Sequence, residues 1–222
     1  VAYVSGMGHY EMRINGKKVG DSEFAPLWSE YSKTVYYNTY DVTSLLTGGH
    51  NAISLLLGNG FFNVQRGNRY SKLMTSFGAP QMILRLEINY SDGTSQTIVS
   101  DGSWKYALSP ITFNSIYGGE SFDARLTQSG FDLAHFDDTE WKDAVLTEGT
   151  DGKLSPQTAP PVKIMERFAI KEWHYLPLDS VAPASAKTKR SVSPHTFIAD
   201  MGQNLAGFPE IRVKGRPGQK VT

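Results

Sequence analysis

An unbroken alternation of strand and turn signals from His9 to Asn63 constrains this chain most. Tyr10, Met12 and Ile14 alternate with Glu11 and Arg13. That period of two places three apolar side chains on one face of a strand and two charges on the other. Asn15-Gly16 follows at once, the residue pair that best tolerates the left-handed conformations of a tight hairpin turn. Aromatic and β-branched residues then run from Val35 to Val42, and a nearly all-apolar run spans Ile53 to Leu57 before Gly58-Asn59-Gly60. A strand apolar on both faces predicts burial, with a neighbour on each side. Helical periodicity is weak throughout, so the chain predicts an all-β sandwich built of many short strands.

The remainder of the chain reads the same way. Ala2 to Val4 reads as the tail of an earlier strand, and Asp21 to Ser32 as a long loop whose Phe24, Pro26, Trp28 and Tyr31 either pack over a core or form a binding surface. Asp41 to Gly49 predicts a one-turn helix or corner closed by glycine. Gln65 to Pro80 is polar and reads as an insertion. Met82, Leu84, Leu86, Ile88 and Tyr90 alternate with polar residues, turn at Ser91-Asp92-Gly93, and return through Thr94 to Val99 as a hairpin. Trp104 opens a further short strand. Asp132 to Trp141 is acidic loop, and Pro160-Pro161-Val162 is a stiff linker or edge strand. A second unit begins near Val162, with strands at Thr196 to Met201 and Gly207 to Val213 and an exposed loop at Ser180 to Ser193. Val1 and Lys220-Val221-Thr222 both read as ends cut from a longer protein.

Lysine plus arginine and aspartate plus glutamate both number 22, so the formal charge is zero. Neither a nucleic acid nor an anionic membrane is called for as partner. No apolar run approaches the roughly 20 residues of a membrane helix. The chain has no cysteine, which excludes disulfides and thiolate metal sites. Its five histidines show no His-x-x-x-His pair, and there is no Gly-x-Ser-x-Gly, phosphate loop or dinucleotide fingerprint. No cofactor is expected; a calcium ion held by oxygen ligands from separate loops stays open.

Two groups carry candidate chemistry. Asn59, Phe61, Phe62 and Asn63 place two rings beside two amides on a loop that follows a buried strand. Sugars present C–H faces that pack on rings and hydroxyls that need amide or carboxylate partners. The same rings serve equally to close the end of a sandwich. Glu120, Asp123 and Arg125 lie within a few residues of one another, and in an extended chain Asp123 and Arg125 point the same way. That pair grips a sugar diol or forms a structural ion pair at a strand end. Glycoside hydrolysis needs two facing carboxyl groups; Glu120, Asp123, Asp132, Asp137, Asp138 and Glu140 are available, and turn-capping or solvated acids are the alternative.

The motif order resembles the N-terminal, non-catalytic region of bacterial α-L-rhamnosidases. The matching pieces are YEMRINGKKVGDSEFAPLWSEYSKTVYYNTYDVTSLL, NAISLLLGNGFFN, IYGGESFDARL, FDDTEWKDAV, APPVKI and FIADMGQNLAGFPEIRVKGRPGQKV. Phe61 stands where the family usually has Trp, and Thr127 where an acid is common. The resemblance implies a jelly-roll sandwich of the galactose-binding type over residues 1–160, then the beginning of a concanavalin-like sandwich over 161–222. It implies a parent enzyme, an inverting glycosidase that removes terminal L-rhamnose from plant glycans, periplasmic or extracellular. The parent's catalytic carboxylates belong to a downstream α/α barrel, so these residues alone are expected to hydrolyse nothing. The implied partners are that barrel and a rhamnose-containing glycan. An autonomous carbohydrate-binding module is the alternative.

Overall fold

The computed structural model describes residues 1–65, 75–176 and 196–221. The chain divides into two compact units, Val1–Ile164 and Met165–Thr222.

The first unit is a β-sandwich. Its strands are β1 (Ala2–Met7), β2 (His9–Ile14), β3 (Lys17–Lys18), β4 (Thr34–Tyr40), β5 (Ile53–Gly58), β6 (Asn63–Val64), β7 (Thr75–Ser76), β8 (Gln81–Asn89), β9 (Ser95–Val99), β10 (Lys105–Tyr106), β11 (Ile111–Ser115), β12 (Gly119–Phe122), β13 (Lys142–Asp143) and β14 (Lys153–Pro156). One sheet has five strands in the order β14-β4-β1-β8-β9, and the sheet facing it has three, β3-β2-β5. Four two-residue or hairpin pairings flank them or lie in the second unit.

The period-two pattern decides what is buried. Ala2 and Val4 of β1, Leu84 and Leu86 of β8, and Tyr10, Met12 and Ile14 of β2 form one core with Val19, Ala25 and Val42. Residues from both sheets share that core, which is what makes the pair a sandwich. The core carries one polar cluster: the Tyr10 hydroxyl donates to Asn38 Oδ1 at 2.9 Å and lies 3.0 Å from the Tyr40 hydroxyl. Burial beside Tyr40 raises the Tyr10 phenol well above its ordinary value, so the ring stays neutral and its hydrogen bonds satisfied.

Local signals behave as their chemistry requires. Asn15 and Gly16 take positive φ at the β2–β3 turn. Asn15 also donates from its amide to Leu45 C=O and to Asn51 Oδ1, tying the turn to the next corner. That corner holds a single 3-10 turn, Thr43–Leu45. The β8–β9 hairpin pairs Arg85 with Val99 and Asn89 with Ser95. Arg13 locks the acidic loop onto the β2–β3 hairpin: its Nε donates to the buried Asp132 at 2.6 Å and its Nη2 to Gly16 C=O at 2.8 Å.

Three expectations are corrected. Ala2 to Val4 is no strand tail; it opens β1, which lies at the centre of the five-stranded sheet, between β4 and β8. β5 is not flanked on both sides. It pairs with β2 alone and its residues are half-buried. Its Ile53, Leu55 and Leu57 pack on the core from an edge position rather than from a central place in a sheet.

The second unit holds a hairpin of β15 (Glu172–Leu176) and β16 (Thr196–Asp200), in register Glu172 to Asp200. Trp173 and Tyr175 both pack on Phe197 across it. The strand expected over 207–213 is not formed. A β-strand exists only as one half of a ladder, and among the described residues nothing pairs with that stretch. Residues 66–74 of the expected insertion, and 180–193, lie outside the described residues.

Candidate functional site

The end of the sandwich that carries the β1–β2 turn brings the sequence candidates together with residues that no sequence pattern singled out. β5 ends at Gly58, and the chain folds back at once: the Asn59 carbonyl accepts both the Phe62 and Asn63 N–H groups at 3.1 Å. The β1–β2 turn packs directly on this loop. Gly8 has φ +107°, and a Cβ there would lie 2.2 Å from the Gly58 carbonyl oxygen. Only bare backbone permits that approach.

The tight turn sends the adjacent rings to opposite sides. Phe62 points inward and is fully buried. Tyr31 meets it edge-on at 5.1 Å and Phe77 stacks on it at 5.5 Å. Phe61 points outward and is half-buried, with Trp28 at 5.3 Å and Tyr117 at 5.9 Å between ring centres. Trp28 is 62% exposed and Tyr117 42%. Phe24, also exposed, packs on His9 at 5.5 Å, and His9 borders Gly60. The surface is thus an aromatic group drawn from three separate segments.

The amides do a different job. Asn59 is buried, and besides those at its carbonyl it makes three hydrogen bonds. Its backbone N–H donates to Asn114 Oδ1 at 2.8 Å and its Nδ2 to the Asn114 carbonyl at 2.9 Å. Its Oδ1 accepts from Asn63 Nδ2 at 2.9 Å. These bonds clasp the β11–β12 hairpin to the loop after β5. Tyr117 sits in the turn of that hairpin, so the clasp carries its ring to Phe61. Glu120 is exposed on β12, paired across the hairpin with Asn114. Asn59 and Phe62 therefore hold the loop from within, while Phe61 faces outward.

Asp123 and Arg125 form the ion pair their spacing predicts, at the far end of the same hairpin. Asp123 caps the 3-10 turn Ala124–Leu126, accepting the Arg125 N–H at 3.1 Å. The Arg125 guanidinium bridges both carboxylate oxygens and holds the Asp123 carboxyl down to about 2. The four residues of β12 separate this pair from the turn that carries Tyr117, about 13 Å at about 3.3 Å per strand residue. Arg125 is exposed, Asp123 is half-buried, and the pair serves the 3-10 turn. Three of the other candidate acids have partners of their own: Asp132 pairs with Arg13, Asp138 with Lys105 at 3.0 Å, and Asp137 accepts from the Thr139 N–H.

The amide cluster fits a clasp better than a calcium site, because Asn59 Oδ1 and Asn114 Oδ1 already accept from protein donors. Among the described residues no group of three or more His, Cys, Asp or Glu side chains is placed to hold a metal.

Burial beneath the rings lowers the His9 imidazole from its ordinary value near 6.5. The unfolded chain takes up a proton below that value and the folded chain resists it, so stability falls as the pH drops from 6.5 through the lowered folded value. Denaturant midpoints between pH 7.5 and 5 are expected to decline for the wild type and to stay flat for His9→Gln. Equal slopes would place the titration elsewhere. The carboxylates with lowered values, such as Asp41, Asp92 and Asp101, act at lower pH and leave this window clear.

A family model described as the alpha-L-rhamnosidase N-terminal domain matches residues 1–166, and one described as the bacterial alpha-L-rhamnosidase concanavalin-like domain matches 190–222. The chain belongs to the α-L-rhamnosidase N-terminal domain family. An α-L-rhamnosidase from Formosa agariphila is 33% identical over 222 residues, 99% of this chain and 22% of the relative. One from Streptomyces avermitilis is 34% identical over 220 residues, 99% of this chain and 20% of the relative. The chain thus spans about a fifth of the length of the α-L-rhamnosidases it matches. Among solved structures, the Streptomyces avermitilis α-L-rhamnosidase complexed with L-rhamnose superposes with TM-score 0.70 at 31% identity, over 78% of this chain and 17% of that one. The α-L-rhamnosidase from Dictyoglumus thermophilum gives 0.65 at 37%, over 78% and 18%. The all-β architecture read from the sequence, a sandwich followed by residues of a concanavalin-like domain, is the one these α-L-rhamnosidase matches carry.

Sequence reasoning named Trp28 only as one of several aromatics in a loop, and missed Tyr117, Asn114 and Gly8. The aromatic density of the loop from Asp21 to Ser32 was the available signal for Trp28. Nothing local marks Asn114, whose role exists only where two hairpins meet.

Proposed function

We propose that this chain is an accessory β-sandwich region of an α-L-rhamnosidase-type glycoside hydrolase that removes terminal L-rhamnose from plant glycans. The catalytic acid and base belong to a barrel elsewhere in the same polypeptide, and the enzyme works in the periplasm or outside the cell. This region braces the barrel and contributes to substrate binding. The observation that carries the reading is the match of 99% of this chain to about a fifth of each α-L-rhamnosidase relative.

Binding is supported by the ring group. Trp28, Phe61 and Tyr117 offer ring faces at the surface, and L-rhamnose, a deoxy sugar with a methyl group, is apolar enough to pack on them. The amides of Asn59 and Asn63 serve the loop, so hydroxyl partners come from the tyrosine and from Glu120. An autonomous carbohydrate-binding module is the alternative that the same exposed rings favour.

Calorimetric titration of the 222-residue chain with L-rhamnose, with and without calcium, tests this. Saturable heat is expected, lost in Trp28→Ala without a change in melting temperature, because Trp28 is mostly exposed. Absence of heat at millimolar sugar in both conditions would leave bracing as the role. Retained binding in Trp28→Ala would move the site away from the rings.

A further inference from the structure

Among the described residues, two that are not glycine take positive φ, Asn15 and Phe24. Asn15 sits in an Asn-Gly hairpin turn, which asparagine suits. Phe24, at φ +53°, has no such excuse, because a bulky side chain in the left-handed region is an outlier. The residues on either side impose the bend. Glu23 N–H donates to Val162 C=O and Tyr10 N–H to Ala25 C=O, both at 2.7 Å. Leu27 N–H donates to Gln157 Oε1 at 2.9 Å. The loop is thus tied to β2 on one side and to the segment after β14 on the other. All these bonds are made by neighbours of Phe24, and they would hold a glycine there without strain. Burial does not explain the phenylalanine either, since it is 51% exposed. A strained residue that serves neither its turn nor the core points to a role at the surface.

The ring has a fixed place. It packs on His9 with ring centres 5.5 Å apart and planes inclined by 48°. His9 opens β2 opposite Gly58. Its Cδ2 lies 3.2 Å from where a Cβ on Gly60 would stand, and Gly60 directly precedes Phe61. His9 therefore links the Phe24 ring to the turn that sends Phe61 outward. Phe24 and Trp28 are four residues apart on one loop, so their Cα atoms lie within about 14 Å of each other. A short oligosaccharide covers that span, and a single sugar ring does not. We propose that Phe24, seated on His9, is a second sugar-stacking position beside Trp28, Phe61 and Tyr117, so that this surface takes an oligosaccharide ending in L-rhamnose rather than the lone sugar. The inference rests on the reading of the ring group as a carbohydrate surface. Once the terminal sugar is held, the next one meets Phe24 as an intramolecular event. The tied loop has little freedom left to lose when it does.

Calorimetric titration of the 222-residue chain with L-rhamnose and with the disaccharide L-rhamnosyl-L-rhamnose tests this, in the wild type, Phe24→Gly and Phe24→Ala. The wild type is expected to bind the disaccharide about tenfold more tightly than L-rhamnose, the worth of one aromatic contact. Both variants should lose that gain and keep the wild-type affinity for L-rhamnose. Phe24→Gly should melt above Phe24→Ala by about 2 °C or more, because glycine alone relieves the bend. Equal wild-type affinities for the two sugars would overturn the second position, as would a gain that survives in both variants. A Phe24→Gly variant that melts below Phe24→Ala would overturn it too, since the phenylalanine would then be unstrained. Heat with L-rhamnose but no gain with the disaccharide sinks this proposal alone, whereas no heat with either sugar sinks the carbohydrate reading together with it.

Discussion

Phe62→Ala is expected to destabilise the first unit by about 3–5 kcal/mol, the range for removing a fully buried phenylalanine ring. The ring has no exposure at all. It lies between Tyr31, itself buried, and Phe77, at 5.1 and 5.5 Å. Alanine loses the transfer free energy of the ring and leaves a cavity whose walls are held in place: the Tyr31 carbonyl accepts from Thr150 Oγ1 at 2.7 Å, and Phe62 N–H is fixed by Asn59 C=O. The aromatic contacts add about 0.5–1.5 kcal/mol each to what burial alone gives. In a unit of this size each kcal/mol lowers the melting temperature by about 2–4 °C, so a fall of about 6–20 °C is expected, with an unchanged denaturant slope. Phe61→Ala is the internal comparison, because it removes a neighbouring ring that is only half-buried and should lower stability far less. Equal effects of the two substitutions would show that the tight turn does not separate the rings.

Gly8→Ala should have a comparable effect from a different cause. At φ +107° an alanine adopts a backbone conformation that L-residues rarely occupy, which costs about 1–3 kcal/mol. Its Cβ would also stand 2.2 Å from the Gly58 carbonyl oxygen and 3.0 Å from that of Asn59. Both obstacles are backbone, so no rotamer change relieves them, and overpacking of this kind adds about 1–3 kcal/mol. The β1–β2 turn must move away from the loop after β5, and the His9–Gly58 pairing must loosen. A total of roughly 2–6 kcal/mol is expected, with faster amide exchange over 58–63. Gly48→Ala supplies the control, since nothing lies within 4 Å of a Cβ at Gly48. If denaturation cannot tell the two variants apart, the close approach of Gly8 to Gly58 is not part of the fold.

These two substitutions mark where sequence reading succeeds and where it stops. Phe62 is next to Phe61 in the chain, and both are aromatic residues beside an amide. Local chemistry treats them alike as sugar-stacking candidates. The backbone reversal at Asn59, a property of the folded loop, turns one into the core and the other to the surface. Likewise Gly6-Met7-Gly8 carries no motif. The value of Gly8 lies in its neighbour Gly58, fifty residues away in the chain.

Asp123 and Arg125 show the opposite case. Their spacing foresees the ion pair, because two residues apart on an extended chain is a local relation. Whether that pair joins the rings is a question of hairpin length, and β12 separates it from the turn that carries Tyr117.

By itself the sequence determined the things that depend on near neighbours. It determined the strands with period-two alternation, the Asn15-Gly16 turn, the β8–β9 hairpin, the predominance of strand over helix among the described residues, and, through the order of its motifs, the family. Each of these rests on interactions spanning a few residues or on a pattern written along the chain. Only the tertiary structure decided which strands are central and which lie at an edge. It also decided which of two adjacent rings is buried, that Asn59 is a clasp, and that Trp28 and Tyr117 join Phe61. Those outcomes depend on pairs of residues tens of positions apart, and a side-chain period says which residues share a face without saying what lies opposite.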